Sequence, residues 1–235
     1  MEHIMEGEII AVIPARAGSR RVPGKNIRAI EGQPLIVFSI KAAKYCRDIQ
    51  RIIVSTNDRD VSAIAEKENV EVMWRPDELA TEHTSTLDVL KDVYFRLKKD
   101  SSPEYVILLQ PTSPLRRKDL ISEGLKLIRS DNKASCLLAV FETRFFTGHI
   151  RNGYWFGDYP QGTRTQDIEP SFVPCGSLYI YRPKETIEKN SALGEHALPL
   201  IENHPENVNI DYEKDFEKCR CVFERNKELY QYLLE

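Results

Sequence analysis

Short runs of apolar, mostly β-branched residues alternate with amphipathic stretches along the first 141 residues of the chain. The first run, EIIAVIP at residues 8–14, is typical of a buried strand, and a helical stretch with proline near its start follows it. Strands that alternate with helices at this spacing form βαβ units, in which helices cover both faces of a parallel sheet. The alternation therefore predicts an α/β fold with a Rossmann-like, mainly parallel sheet.

The periodicity predicts strands at residues 8–14, 51–56, 70–74, 105–109 and 134–141, and helices at 34–46, 58–68, 84–98 and 117–129. The alternation breaks over residues 145–174, where aromatic residues cluster and Asn152-Gly153 gives a hairpin signal. A strand at 177–181 and a helix at 215–233 follow. We expect a single domain over residues 1–235, with a β-rich element inserted at about 145–174.

The composition restricts the partners and the compartment. A net charge of −3 gives no basic surface for nucleic acid or an anionic membrane, and the longest apolar stretch, residues 136–141, is far too short to cross a bilayer. Five cysteines without a CxxC pair favour free thiols in a reducing compartment, and Glu2, Glu6 and Glu8 do not fit the basic start of a secretory signal. We therefore expect a cytoplasmic protein that binds neither nucleic acid nor membranes.

The loop after the first strand, residues 15–26, combines glycine with positive charge. Ligands of parallel α/β sheets bind at the carboxyl ends of the strands, where this loop must lie. Gly18 and Gly24 permit turns that expose backbone N–H groups, and four basic side chains stand close by: Arg16, Arg20, Arg21 and Lys25. This combination suits a triphosphate; a solvated basic loop is the alternative. The spacing fits neither GxGxxG nor GxxxxGKS/T, which disfavours a dinucleotide-dependent oxidoreductase and a P-loop ATPase.

Four segments, taken in order, resemble one family. PARAGSRRVPGKN at residues 14–26 resembles the signature loop of the acylneuraminate cytidylyltransferases, which make CMP-activated nonulosonic and related acidic sugars. The other segments are RPDELA at 75–80 with Ser85-Thr86, LLQPTSPLR at 108–116, and Asn209-Ile210-Asp211. The resemblance covers nearly the whole chain and implies a nucleotidyltransferase that uses CTP, an acidic nine-carbon sugar and Mg²⁺.

The resemblance implies a set of nucleotide-binding residues, with Arg16 and Lys25 on the phosphates and Arg75 on the base. The full set is Arg16, Gly18, Ser19, Lys25, Asn26, Arg75, Ser85 and Thr86. Two alternatives stand beside this assignment. In the first, Arg75 is an exposed arginine ahead of a turn at Pro76. In the second, the two hydroxyls of the Ser85-Thr86 pair cap the third helix.

The resemblance also implies that the sugar contacts Gln110, Thr112, Arg164 and Tyr179. Gln110 precedes a Pro-Thr-Ser-Pro run that cannot continue a strand, so the chain must turn outward there, at the functional edge of the sheet. Arg116, at the end of the same segment, is expected to be a surface or capping residue. Cys175 stands where the family has asparagine, so one polar contact to the sugar is expected to be lost.

The metal segment of the family has two aspartates one residue apart, where this chain has Asn209 and Asp211. Alternate residues of an extended segment point the same way, so both can reach one ion, and Mg²⁺ prefers oxygen ligands. Asp211 is therefore the expected metal ligand, with Asn209 as a neutral partner.

In the reaction that the resemblance implies, the anomeric hydroxyl of the sugar attacks the α-phosphorus of CTP and pyrophosphate leaves. Such transfer depends mostly on positioning and charge, so Arg16, Lys25 and Asp211 are the expected catalytic residues. Pseudaminic, legionaminic or 3-deoxy-octulosonic acid is an alternative sugar. A nucleotide-sugar glycosyltransferase and a catalytically silent nucleotide-binding module are alternatives of other classes.

Relatives use the region that matches residues 145–174 to form a two-fold homodimer, in which a basic residue enters the sugar site of the neighbouring subunit. The resemblance implies the same assembly here, with Arg164 reaching across. The alternative is that the aromatic residues of this element pack against the core of their own chain.

Overall fold

The computed structural model describes residues 7–202 and 208–235 of the chain. Its strands are β1 (Ile9–Pro14), β2 (Ala29–Ile30), β3 (Gln33–Pro34), β4 (Arg51–Thr56), β5 (Glu71–Trp74), β6 (Tyr105–Leu108), β7 (Cys136–Thr143), β8 (Gly148–Arg151), β9 (Tyr154–Gly157), β10 (Ser171–Tyr181) and β11 (Ala197–Ile201). Its α-helices are α1 (Leu35–Tyr45), α2 (Arg59–Lys67), α3 (Thr86–Leu97), α4 (Leu120–Ser130), α5 (Glu213–Arg225) and α6 (Lys227–Tyr230).

A seven-stranded sheet forms the centre of the molecule, in the order β11-β7-β10-β6-β1-β4-β5. Every pair is parallel except the two that β10 makes with β6 and β7. Six strands therefore run the same way and bring their carboxyl ends to one edge of the sheet. The predicted Rossmann-like, mainly parallel sheet is confirmed.

The pleat of β1 explains why helices cover both faces of the sheet. Ile9, Ala11 and Ile13 pack into a buried cluster with apolar residues of α1, α2 and α4. Ile10 and Val12 point the opposite way and pack with residues of α3. Since successive side chains of a strand alternate between faces, a run that is apolar at every position must be buried on both sides.

The β-rich element contains the predicted hairpin. β8 pairs with β9, and Asn152 and Gly153 between them have positive φ angles of 50° and 82°. Two positive φ angles are characteristic of the primed turns that suit the twist of two-residue hairpins. Tyr154, Trp155 and Phe156 remain 72%, 55% and 52% exposed. The alternative in which these aromatic residues pack against the core of their own chain is therefore wrong.

Several elements differ from those predicted, among them β11, β10 and the last helix. Strand β11 was not predicted. It lies at the edge of the sheet, where Pro199 is tolerated because no further strand pairs with β11 on its outer side. β10 begins at Ser171 rather than 177, since its first half pairs with the extended end of β7. The predicted helix 215–233 is divided at Asn226, whose side-chain amide donates to the carbonyl of Val222 and ends α5.

The five cysteines, all of which lie in the described ranges, form no disulfide; Cys221 is exposed and the other four are buried. Within residues 7–202 and 208–235, no helix has the length and apolar character needed to cross a membrane.

Candidate active site

The loop after β1 folds back over the carboxyl edge of the sheet. Gly18 and Gly24 adopt positive φ angles of 72° and 62°, the left-handed backbone conformation that glycine adopts without steric cost. The backbone N–H of Ala17 donates to Oδ1 of Asn57 at 2.9 Å, and Nδ2 of Asn26 donates to the carbonyl of Arg16 at 3.3 Å. The first bond ties the start of the loop to the end of β4, at the edge where ligands of such sheets bind, and the second joins the two ends of the loop.

A cavity of about 240 Å³ lies beneath this loop, and its walls come from five different parts of the chain. It brings together eight of the predicted site residues. They are Arg16, Ser19, Lys25, Asn26, Arg75, Thr86, Gln110 and Thr112. The remaining lining residues are Pro14, Thr84, Val89 and Pro111. The described lining thus carries three cations and no carboxylate, a composition that favours an anionic ligand.

Arg75 is only 3% exposed, so the alternative of a surface arginine is wrong. Its Nη2 donates to the carbonyl of Ser55 at 2.8 Å and its Nε to the hydroxyl of Ser55 at 3.2 Å. Burial, together with the charge of Arg16, lowers the pKa of Arg75 to about 10. A fixed planar donor group at the cavity wall is suited to reading the edge of a flat ring.

Lys25 connects the cavity with the predicted metal segment. Its Nζ donates to the carbonyl of Ile210 at 2.7 Å and lies 3.5 Å from Oδ1 of Asp211. Burial lowers the pKa of Lys25, and the charge of Asp211 opposes that shift. Asn209 donates its side-chain amide to Oδ2 of Asp211 at 2.8 Å, and Arg21 approaches Oδ1 at 3.4 Å. Asp211 does not line the cavity itself but stands directly beside it.

Ser85 is the N-cap of α3 rather than a wall of the cavity. Its hydroxyl accepts from the backbone N–H of Asp88 at 3.1 Å, and its own backbone N–H donates to the Asp88 carboxylate at 3.3 Å, forming a capping box. Thr84, which the sequence analysis did not select, lines the cavity together with Thr86. Four hydroxyl residues lie close together here, at positions 81, 84, 85 and 86, and the sequence does not indicate which of them faces the ligand.

Arg116 is not the surface or capping residue that was expected, because it is 1% exposed. Burial lowers the pKa of Arg116 to about 10. Its partners include Ser39 and Ser177, which lie 77 and 61 residues away along the chain. No local pattern could have identified contacts at such separations.

Two predicted sugar contacts lie outside the cavity of a single chain. Arg164 forms a two-pronged pair with the carboxylate of Asp167, at 2.7 and 3.1 Å, in the β-rich element. Tyr179 stacks on Tyr181 and packs against the core cluster that contains Val12. Gly18 also does not line the cavity. Ligand contacts of Arg164 and Tyr179 stay predictions.

A family model described as Cytidylyltransferase matches residues 10–147, more than half of the chain. The chain belongs to the cytidylyltransferase family. The resemblance that the four motifs indicated is confirmed, and this cytidylyltransferase is accordingly a nucleotidyltransferase.

The curated relatives are also enzymes that form CMP-sugars. This cytidylyltransferase is 32% identical over 229 residues to the CMP-N,N'-diacetyllegionaminic acid synthase of Legionella pneumophila, which covers 94% of this chain and 98% of the relative. It is 29% identical to the N-acylneuraminate cytidylyltransferase of Escherichia coli, over 97% of this chain and 56% of that longer relative. The pseudaminic acid cytidylyltransferase of Campylobacter jejuni is 25% identical, over 93% of this chain and 97% of the relative.

Solved structures show the same fold at low sequence identity. A CMP:2-keto-3-deoxy-manno-octonic acid synthetase complexed with CTP superposes with a TM-score of 0.68 at 18% identity, covering 93% of this chain and 99% of the other. A 4-diphosphocytidyl-2C-methyl-D-erythritol synthase from Anaerococcus prevotii gives a TM-score of 0.68 at 14% identity, over 93% and 97% of the two chains.

Proposed function

We propose that this cytidylyltransferase transfers CMP from CTP to the anomeric hydroxyl of a nonulosonic acid and releases pyrophosphate. The observation that carries the proposal is the cavity at the carboxyl edge of the sheet, where Arg16, Lys25 and Arg75 converge without a carboxylate in the described lining. The relatives, whose names give legionaminic, N-acylneuraminic and pseudaminic acid as their substrates, support the choice of substrates.

Each wall of the cavity has a part in this reaction. Arg16 and Lys25 hold the triphosphate and offset the charge that develops on the leaving pyrophosphate. Arg75, fixed by Ser55, offers its donors to the acceptor edge of cytosine. Gln110 and Thr112 orient the sugar so that its hydroxyl meets the α-phosphorus in line. The enzyme supplies position and charge and needs no nucleophile of its own.

Mg²⁺ is the proposed cofactor, and the donor set of the metal segment fits it. Asp211 keeps a carboxylate 36% exposed beside Lys25, and Asn209 uses its amide N–H₂ toward Asp211, so that its carbonyl oxygen is available as a neutral ligand. The described residues contain no cluster of three or more histidine, cysteine, aspartate or glutamate side chains. Mg²⁺ commonly binds through one or two carboxylates and phosphate oxygens. When bound, it would polarise the phosphates.

The proposed assembly is a homodimer formed through the β-rich element. Aromatic residues concentrate in the cores of protein interfaces, and Phe145, Tyr154, Trp155 and Phe156 are exposed on this element. Arg164, which lies near the end of the same element, would then complete the sugar site of the partner.

The deciding experiment measures pyrophosphate release with CTP, Mg²⁺ and a panel of acids. The panel holds N-acetylneuraminic, legionaminic, pseudaminic and 3-deoxy-octulosonic acid. We expect turnover with a nine-carbon acid and none with UTP, ATP or GTP in place of CTP, since the donors of Arg75 are proposed to read the acceptor edge of cytosine. Binding of CTP in calorimetry without turnover of any acid would identify a silent nucleotide-binding module instead.

A further inference from the structure

Arg116 is a cation buried in the interior of the protein. Its side chain is 1% exposed, and no carboxylate of the described residues pairs with it. It donates to three uncharged oxygens instead: the carbonyl of Ser177 at 2.6 Å, the hydroxyl of Ser39 at 3.0 Å and the carbonyl of Gln110 at 2.7 Å. Burying a cation in this way is unfavourable unless its hydrogen-bond geometry is nearly complete.

The three oxygens belong to three parts of the fold that meet at the cavity. Ser39 lies in α1, Ser177 in β10, and Gln110 in the cavity wall. A second bond crosses the same junction, from the hydroxyl of Ser113 to the carbonyl of Cys175 at 3.1 Å. The cavity wall is thus cross-linked to the middle of β10, where the pairing with β7 is interrupted.

Gly176 shows how closely the two segments approach. A Cβ atom at this position would lie 2.8 Å from Oε1 of Gln110 and 2.8 Å from the hydroxyl of Ser113. Gly176 also has a φ angle of 73°, which side chains rarely adopt. The side chain of Gln110 therefore lies directly against the backbone of Gly176, next to the Ser177 carbonyl that Arg116 binds.

The same wall supports the metal segment. The backbone N–H of Ile210 donates to the carbonyl of Thr112 at 2.7 Å, and the carbonyl of Ile210 accepts from Lys25. A displacement of residues 110–112 would therefore shift both the side chain of Gln110 and the segment that carries Asp211.

We propose that Arg116 is a positioning residue that holds the wall formed by residues 110–112 where the acidic sugar must meet the α-phosphorus. The proposal rests on the proposed function for the identity of the sugar. The planar fork of arginine reaches Ser177, Ser39 and Gln110 at once, whereas a lysine ammonium at the end of a flexible stem cannot span all three. None of these three hydrogen bonds of Arg116 goes to the loop 15–26, which is proposed to hold the triphosphate.

The test compares Arg116→Met, Arg116→Lys and the matched control Arg117→Met. Arg117 undergoes the same chemical change one position later but pairs with Glu123 and Glu202 on the outer side of the molecule. We expect Arg116→Met to lower kcat/KM for the sugar about 100-fold, with CTP affinity in calorimetry changed less than about threefold. Arg116→Lys should recover part of the loss, and Arg117→Met should match the unaltered protein.

Amide hydrogen exchange supplies a readout that does not depend on the substrate. In Arg116→Met the N–H groups of Ser113 and Ile210, which donate to the carbonyls of Gln110 and Thr112, should exchange faster, while those of β1 stay protected. A folded Arg116→Met protein with unchanged exchange and unchanged sugar kinetics would overturn the proposal. Equal losses for sugar and CTP, or a fully active Arg116→Lys, would also overturn it. Should the unaltered protein turn over no acid, the proposed function fails, and the exchange result still decides whether Arg116 fixes the wall.

Discussion

Two of the three cations that line the cavity are largely withdrawn from water. Arg75 is 3% exposed and the side chain of Lys25 is 11% exposed. Arg75 has only the oxygens of Ser55 as hydrogen-bond partners, whereas Lys25 donates to the carbonyl of Ile210 and also lies 3.5 Å from the carboxylate of Asp211. A bound anion would add to the electrostatic stabilisation that burial weakens. The arrangement favours an anionic ligand, such as the triphosphate of the proposed reaction.

Lys25→Ala tests that reasoning. Removal of one preorganised charge contact to the phosphates should raise the activation barrier by about 3 kcal/mol, equivalent to a loss of about 100-fold in kcat. Pyrophosphate release gives the rate, and circular dichroism checks the fold. Lys44→Ala is the control, because Lys44 pairs with Glu68 on the surface. Near-normal turnover of a folded Lys25→Ala protein would exclude Lys25 from the chemistry.

Asp211 and Asn209 are tested by metal binding rather than by activity. In electron paramagnetic resonance with Mn²⁺ and CTP, Asp211→Asn should weaken binding of the metal about 10- to 100-fold. Asn209→Asp adds a second carboxylate and should tighten binding. Glu213→Gln is the control, since Glu213 pairs with Arg28 outside the metal segment. Equal Mn²⁺ affinity in all variants would place the metal elsewhere.

The sequence predicted that residues at strand ends would lie together, and it could not predict the burial of a residue that depends on distant partners. The cavity brings together Arg16 and Lys25 of the first loop with Arg75 and Gln110, which follow the ends of β5 and β6. Arg116 lies only a few residues beyond Gln110, yet its burial depends on Ser39 and Ser177, which only the folded sheet brings near.

At the scale of elements, apolar runs predicted the strands of the parallel sheet within about two residues, because burial on both faces leaves a continuous signal. β11 is also apolar throughout, but Pro199 stands at its centre, and a proline inside an apolar run argues against a strand. Only Leu200 of its five residues is buried, and the strand forms by pairing with β7 at the edge of the sheet.

The start of α3 separates a structural from a binding role. Ser85→Ala removes the cap and should lower the free energy of unfolding by about 1 kcal/mol in urea, with little change in CTP affinity. Thr86→Val removes the hydroxyl that lines the cavity. We expect Thr86→Val to weaken CTP binding in calorimetry with the smaller change in stability. A reversal of the two results would assign Ser85 to the nucleotide.

At the scale of the whole molecule, the sheet and the β-rich element differ in how they bury apolar residues. The sheet is covered on both faces by helices, whereas the hairpin of β8 and β9 leaves Ile150 76% and Tyr154 72% exposed. Such a concentration of exposed apolar side chains is typical of an interaction surface. The hairpin turn was predictable from Asn152-Gly153, and the resemblance, which places this element between two subunits, implied that its aromatic residues are left uncovered by their own chain.

Complementation tests the proposed shared site. Lys25→Ala and Arg164→Ala proteins, each inactive alone, should regain activity when refolded together, because one of the two sites in a mixed dimer holds both residues. Lys25→Ala mixed with Asp211→Asn is the control, since those two residues lie together in one chain and leave no complete site. A monomer in light scattering, or no recovery in the first mixture, would refute the shared site.

The bond between Lys25 and the carbonyl of Ile210 joins residues 185 positions apart in the sequence. It has a consequence for synthesis of the protein. The ribosome makes the loop 15–26, Arg75 and Gln110 long before it makes Asp211, so a growing chain holds most of the cavity lining but not the carboxylate beside Lys25. If Asp211 has its proposed role, messages that end before its codon yield products that cannot assemble the complete reaction centre.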